Sequence, residues 1–182
     1  AYAARCLADT RALRIGPTFA GMGDFAVEED LLESQLGITV DELTREDLEE
    51  AAGAVPEAAV KAEMARDLKR FAADLPAAVH RRSVRTGLGL RALLERGSYS
   101  AFSVNFLAFD AARGPANVVP FLEASKAMAR GIGYAGEGDV LTASLVGAMA
   151  TAFGRTTFTE IFCPDWAGNA LFLSHMGEIN PE

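Results

Sequence analysis

Cysteine is nearly absent: Cys6 and Cys163 are the only two in 182 residues, and no CxxC spacing joins them. That excludes a disulfide framework and fits free thiols in a reducing cytoplasm. Histidine is as scarce, with His80 and His175 alone, so a structural zinc site of the Cys and His type is excluded as well. Positive charge is in deficit, 17 Lys and Arg against 25 Asp and Glu, for a formal net charge of -8. A phosphate backbone calls for the opposite balance, so no nucleic-acid partner is expected. No apolar run approaches the roughly 18 residues of a membrane span, and no basic segment followed by an apolar one opens the chain. Neither membrane insertion nor secretion is expected.

What is present is a chain that is 50% hydrophobic, enough to bury a continuous core. It opens on AYAARCLADT, which reads as the end of a helix, and closes on SHMGEINPE just after an apolar strand pattern. Both ends suggest a piece of a longer protein. Between them, RALRIG (11–16) reads as a strand and Val27–Gln35 as a helix capped by Gly37. ITVDEL is a second short strand. Thr44 with Asp47 resembles a capping box that opens a helix through Ala52. Helical periodicity runs from Pro56 to about Leu75 and again from Pro76 to Arg96, the second helix carrying His80, Arg81, Arg82 and Arg85 on what reads as a solvated face. Tyr99–Phe106 alternates as a strand, 113–120 is a loop, and Phe121–Arg130 is a helix stopped by Gly131. Glycine is densest in GIGYAGEG (131–138), before Asp139 and a helix to about Gly154. The expected fold is α/β: a doubly wound parallel sheet with helices on both faces over residues 1–135. Residues 136–182 then form a metal-site segment and an antiparallel β-hairpin, Thr156–Cys163 with Asn169–Met176, belonging to a truncated C-terminal β-rich domain.

The hairpin carries the informative spacing. Strand alternation puts Glu160 on one face with Phe158 and Phe162, and His175 on one face with Leu171 and Leu173. If the hairpin turns symmetrically within PDWAGN, opposed positions sum to 335 and Glu160 faces His175. A one-residue slip would separate them. A carboxylate and an imidazole on apolar faces need a reason, because unpaired buried charge is costly. One reason is a mutual structural ion pair. The other is a divalent metal with mixed oxygen and nitrogen ligands, for which manganese, iron or cobalt is suited and a second carboxylate is required. Glu137 is the candidate, set between glycines in GEGD and ahead of a helix N-terminus that favours its ionised form. A phosphate loop is opposed by Glu137 and Asp139 themselves. Serine hydrolysis is opposed by the absence of GxSxG and by the opposite facing of Ser174 and His175, and Cys163 has no base.

The words GYAGEGD, FTE and SHMGE follow one another with Glu137, Glu160 and His175 at intervals of 23 and 15 residues. With RIG at Arg14–Gly16, ESQLG at Glu33–Gly37 and LERG before YSAFSVNF, they make the chain resemble the L-arabinose isomerase and L-fucose isomerase family, closer to the arabinose side. Glu160 favours that side, since the fucose branch has Asp there. The resemblance covers most of the chain. It implies a manganese-dependent aldose-ketose isomerase working through a metal-assisted enediol, with Co2+ or Fe2+ as possible substitutes for Mn2+. Glu137, Glu160 and His175 would be metal ligands, the two glutamates also acid and base, and Phe106 an aromatic contact to the sugar. The family's fourth ligand, a histidine, falls beyond Glu182. The resemblance further implies a cytoplasmic homo-oligomer acting on a small sugar. The rival from another class is a non-enzymatic sugar-binding or regulatory module in which Glu160 and His175 are a structural pair.

Overall fold

The computed structural model describes residues 1–22, 25–109, 117–175 and 177–182. In chain order the elements are α1 (Tyr2–Ala8), β1 (Arg11–Ile15), α2 (Glu29–Leu36), β2 (Thr39–Leu43), α3 (Arg45–Gly53), α4 (Glu57–Arg70), α5 (Ala77–Gly97), β3 (Ala101–Val104), a 3-10 turn (Phe106–Phe109), α6 (Phe121–Ala129), β4 (Gly133–Gly136), α7 (Val140–Phe153), β5 (Glu160–Asp165) and β6 (Ala170–Ser174). Strands one to four form a parallel sheet in the order β2-β1-β3-β4, and β5 and β6 form a separate antiparallel pair. The α/β reading and the terminal hairpin therefore hold. Of the loop expected over 113–120, residues 117–120 are irregular and 113–116 lie outside the described residues, as does Met176 at the end of the second hairpin strand.

Local chemistry explains the elements. Ala12, Leu13 and Ile15 of β1 are fully buried, and so is β3 at every position, as in the middle of a covered sheet; β4, at one edge, is buried as well because α7 packs on it. The edge strand β2 instead carries Asp41 and Glu42, which accept hydrogen bonds from Arg11 and Arg14 of β1. Such charges keep an open edge from pairing with another chain. The capping box at Thr44 and Asp47 forms with both of its bonds, and Gly37 closes α2 in the left-handed conformation.

Several bounds differ from expectation, the hairpin strands among them, which run Glu160–Asp165 and Ala170–Ser174 instead of Thr156–Cys163 and Asn169–Met176. The strand expected over Tyr99–Phe106 stops at Val104, because the Asn105 amide donates to the Pro17 carbonyl at 2.7 Å while its Oδ1 accepts from the Leu107 N–H, turning the chain. The helix expected to reach about Leu75 ends at Arg70, where Phe71 becomes extended. The glycine-dense segment contains β4, which alternation did not reveal. A β-carbon on Gly133 would come within 2.0 Å of the Ala143 carbonyl, and one on Gly147 within 2.8 Å of the Ser100 carbonyl. Glycine is there so that α7 can press against the sheet.

His80 is also corrected. It does not sit on a solvated face: it is buried, with Nε2 3.0 Å from Asp67 Oδ2. It joins a polar cluster between α4, α5 and α6 in which Glu63 accepts from Arg91 and Lys126, each at 2.9 Å, and Glu123 accepts from Arg91. Lys126 also pairs with Asp67. Burial alone would raise the Glu63 carboxyl, but the hydrogen bonds from Lys126 and Arg91 outweigh it and hold it at about 2 instead of 4.5. A depressed carboxyl contributes stability that is complete above the unfolded value and vanishes as pH falls through the folded one. Urea unfolding should therefore show a loss on the order of 2 kcal/mol from this group between pH 5 and pH 2. In Glu63→Gln that component disappears and neutral-pH stability drops by about 3 kcal/mol, since Lys126 and Arg91 lose a partner. An unchanged pH profile in the variant would contradict the assignment.

Candidate functional site

The parallel strands β1, β3 and β4 end on the same edge of the sheet, and the candidate residues collect there. Strand order puts β2 on one side of β1 and β3 on the other, so the chain reverses its winding between β1 and β3. Crevices at such a reversal, outside the carboxyl ends of the strands, are where open α/β sheets bind ligands. Phe19 follows β1, Phe106 follows β3 and Glu137 follows β4. The Phe19 N–H donates to the Glu137 carbonyl at 3.1 Å, and the rings of Phe19 and Phe106 meet edge to face with centroids 4.7 Å apart. Phe106 thus lies beside the turn that carries Glu137, in the 3-10 turn and not in a strand.

Glu137 itself occupies the left-handed region, with φ 66°. Its N–H donates to the Val104 carbonyl at the end of β3 and its carbonyl accepts from Phe19 in the loop after β1, so a strand end and a loop hold it there. Gly138 follows with φ 89°, and a β-carbon on it would approach the Thr18 Cα to 2.7 Å. The turn is then capped by Asp139, whose carboxylate accepts from the Thr142 N–H and starts α7. A non-glycine residue pays for left-handed backbone, and such strain gathers where function demands a side chain.

The hairpin reaches this edge through an unexpected route. Near the turn its register matches the expected sum, with Cys163 opposite Phe172 and Asp165 opposite Ala170. A bulge between Ile161 and Cys163 then shifts it by one, so Glu160 lies opposite Ser174 and not His175. The hairpin faces are not core faces either: Phe162, Leu171, Phe172 and Leu173 are exposed, and Trp166 is 87% exposed. Glu160 and His175 nevertheless meet, with Glu160 Oε2 3.8 Å from His175 Nε2. What brings them together is the base of the hairpin. Phe158 is buried, its ring 6.0 Å from that of Tyr134 and 4.6 Å from the His175 imidazole. Asn180 donates to the Thr156 carbonyl, joining the two stalks, and Ile179 donates to Ser125 of α6, tying them to the α/β body.

His175 is largely covered, its side chain 10% exposed, and the Nε2 and Cε1 edge of its ring would lie 3.5 Å from a β-carbon on Gly136, the residue before Glu137. The Glu137 carboxyl is raised first by burial and then by the charge of Glu160, with His175 acting against the shift. Glu178, which sequence reading quoted in SHMGE without assigning it a role, is buried with its Oε1 2.9 Å from His175 Nδ1. Burial pushes its carboxyl up too. The site thus brings together Glu137, Glu160 and His175 as an electrostatic group, with Phe106 alongside the Glu137 turn. No cluster of three or more His, Cys, Asp and Glu side chains converges tightly enough to hold a metal ion among the described residues. The donor set is of the right chemistry for a hard or borderline divalent ion, and its closest two members are the Glu160 and His175 pair.

Residues 21–154 match the sequence profile of the L-arabinose isomerase central domain. The chain belongs to the L-arabinose isomerase family. It is 41% identical over 98 residues to the L-arabinose isomerase of Bacillus subtilis, a match covering 52% of this chain and 19% of that protein. Against the L-arabinose isomerase of Shouchella clausii it is 31% identical over 95% of its length and 37% of the relative's, and against that of Acidothermus cellulolyticus 32% identical over 96% and 37%. The chain thus spans between about a fifth and just over a third of these relatives. Within the family profile lie Phe106 and Glu137. Glu160 and His175 follow it on the hairpin.

The strained glutamate gives a direct test. Replacing Glu137 with glycine removes both the left-handed penalty and the repulsion from Glu160 while keeping the two backbone hydrogen bonds. Glu137→Gly should raise the unfolding free energy by about 1 kcal/mol, read from the urea midpoint. A variant less stable than the wild type would mean that the Glu137 side chain supports the fold.

Proposed function

We propose that this chain carries the central part of an aldose-ketose isomerase of the L-arabinose isomerase type, with Glu137, Glu160 and His175 as ligands of a divalent ion, Mn2+ being the expected one. The observation that supports this most is a charge imbalance. Three carboxylates, Glu137, Glu160 and Glu178, surround one imidazole, and among the described residues none of them forms an ion pair with a Lys or Arg. Elsewhere acidic side chains are commonly met by arginine or lysine, as at Asp41, Glu57, Glu63 and Glu123. Membership of the L-arabinose isomerase family supplies the chemistry that such an imbalance serves.

The rival reading, a structural Glu160 and His175 pair, is weakened by the geometry. At 3.8 Å, with the Glu160 side chain 40% exposed, the two groups are too far apart and too solvated to offset a buried charge.

The residues suit the reaction. Moving a carbonyl between C1 and C2 of a sugar removes a proton from carbon beside a carbonyl, and a carboxylate near neutrality is an adequate base when the carbon acid is polarised. Lewis-acid polarisation of the sugar oxygens is what a bound divalent ion supplies. Of Glu137 and Glu160, one takes the carbon-bound proton and returns it to the neighbouring carbon while the other relays the hydroxyl proton. The raised carboxyl of Glu137 suits a group that both accepts and gives a proton. Phe106, beside the Glu137 turn, offers an aromatic face to the apolar side of a sugar.

With Mn2+ and L-arabinose supplied, the chain should form the ketose L-ribulose, followed by NMR, and Glu137→Gln or Glu160→Gln should each slow conversion by roughly 10²–10⁴-fold. Ketose formation that survives both substitutions would contradict the assignment of acid and base. No conversion by a wild-type chain that does bind Mn2+ would favour the non-enzymatic module.

A further inference from the structure

The acid and base do not account for Glu178. Its side chain is 0% exposed, and its Oε1 stands 2.9 Å from His175 Nδ1, off the line of a ring N–H. The Tyr134 hydroxyl faces the same carboxylate, yet no hydrogen bond of proper geometry reaches either oxygen, or Nδ1, among the described residues. Buried carboxylates left in that state are rare and call for a reason. At a separation of 2.9 Å only the angle has to change for Nδ1–H to be donated.

The rest of the imidazole is fixed by other contacts. Phe158 packs on it at 4.6 Å, while Nε2, on the opposite side of the ring from Glu178, points toward Gly136 and toward Glu160 at 3.8 Å. In a neutral imidazole one nitrogen carries the proton and the other the lone pair, and the hydrogen bond made by one decides the character of the other. Glu178 offers only acceptors to Nδ1.

We propose that Glu178 is a positioning residue: it accepts from His175 Nδ1–H, locks the neutral ring in the Nδ1-protonated tautomer, and so aims the Nε2 lone pair at the space shared with Glu137 and Glu160. The use of that lone pair rests on the reading given above; the tautomer does not. A carboxylate behind a ligating imidazole fixes the ring's orientation and raises its basicity, and removing such a partner typically weakens metal affinity by about 10–100-fold.

The other histidine supplies an internal control. His80 meets its carboxylate, Asp67, through Nε2, so it should carry the opposite tautomer. Long-range 1H–15N correlation spectra of the 182-residue chain at pH 8 read both rings at once, with His80→Gln to assign them. The expected result is Nδ1–H for His175 and Nε2–H for His80. Glu178→Met, which removes the acceptors at similar volume, should shift His175 toward Nε2–H. Glu178→Gln, which keeps one acceptor, should restore Nδ1–H in part. An Nε2–H tautomer at His175 in the wild type overturns the proposal without any variant, and so does an Nδ1–H tautomer that Glu178→Met leaves intact.

Titration of the same samples with MnCl2 separates the two ideas. Selective broadening of the His175 ring at tenfold or more higher Mn2+ in Glu178→Met than in the wild type supports both. The expected tautomers with no broadening in the wild type would overturn the metal reading and leave Glu178 as the residue that sets the ring.

Discussion

The contact on which this arrangement depends is the run of rings from Phe102 through Tyr134 and Phe158 to His175, with centroid separations of 5.1, 6.0 and 4.6 Å. Its first two members belong to adjacent parallel strands, its last two to the stalks of a hairpin that is otherwise exposed. Ring pairs of this kind contribute about 0.5–1.5 kcal/mol each beyond the area they bury. Here they do more than stabilise, because they are the reason a solvent-facing hairpin delivers an imidazole to the edge of the sheet. A hydrogen bond from Asn180 joins the same stalks and one from Ile179 fastens them to α6.

Once His175 is fixed, the charges around it follow from chain direction. The carboxyl ends of β3 and β4 point at one edge, so the turn after β4 must present Glu137 there. The small residues of β4 let α7 lie close against the sheet, and Asp139 starts that helix directly after the turn. A left-handed glutamate, a bulge next to Glu160 and a buried Glu178 whose oxygens lack a well-aligned hydrogen bond are three departures from local optimum in one place. Such departures concentrate at functional sites because the surrounding structure has to sustain them. The buried Glu63, Lys126 and Arg91 cluster on the helical side makes the contrast, since there each acid meets a cation and nothing is left for a ligand to supply.

Much of this was legible in the sequence. The parallel sheet showed in short apolar segments alternating with helices, the capping box in Thr44 and Asp47, and the hairpin in two apolar strands around PDWAGN. The meeting of Glu160 and His175 was also expected, though by direct opposition. Register arithmetic has no means of seeing a bulge, and the two groups meet through Phe158 and a bend at the hairpin base instead. Strand β4 was hidden because glycine carries no side-chain periodicity, its reason for being there lying in the approach of α7. His80 was misread for a related cause: its partner Asp67 is on another helix, so a run of basic neighbours looked like a solvated face. Glu178 stands in plain view three residues from His175, but only the fold reveals that its carboxylate is buried against that ring, with the Tyr134 hydroxyl beside it.

The proposed divalent site requires that Glu137, Glu160 and His175 share one cation. Electron paramagnetic resonance of free Mn2+, titrated against the wild-type chain and against Glu137→Gln, Glu160→Gln and His175→Gln, measures that sharing. One saturable ion per chain, weakened at least about tenfold by each of the three substitutions, is the predicted result. The absence of saturable binding, or binding indifferent to all three side chains, would contradict it.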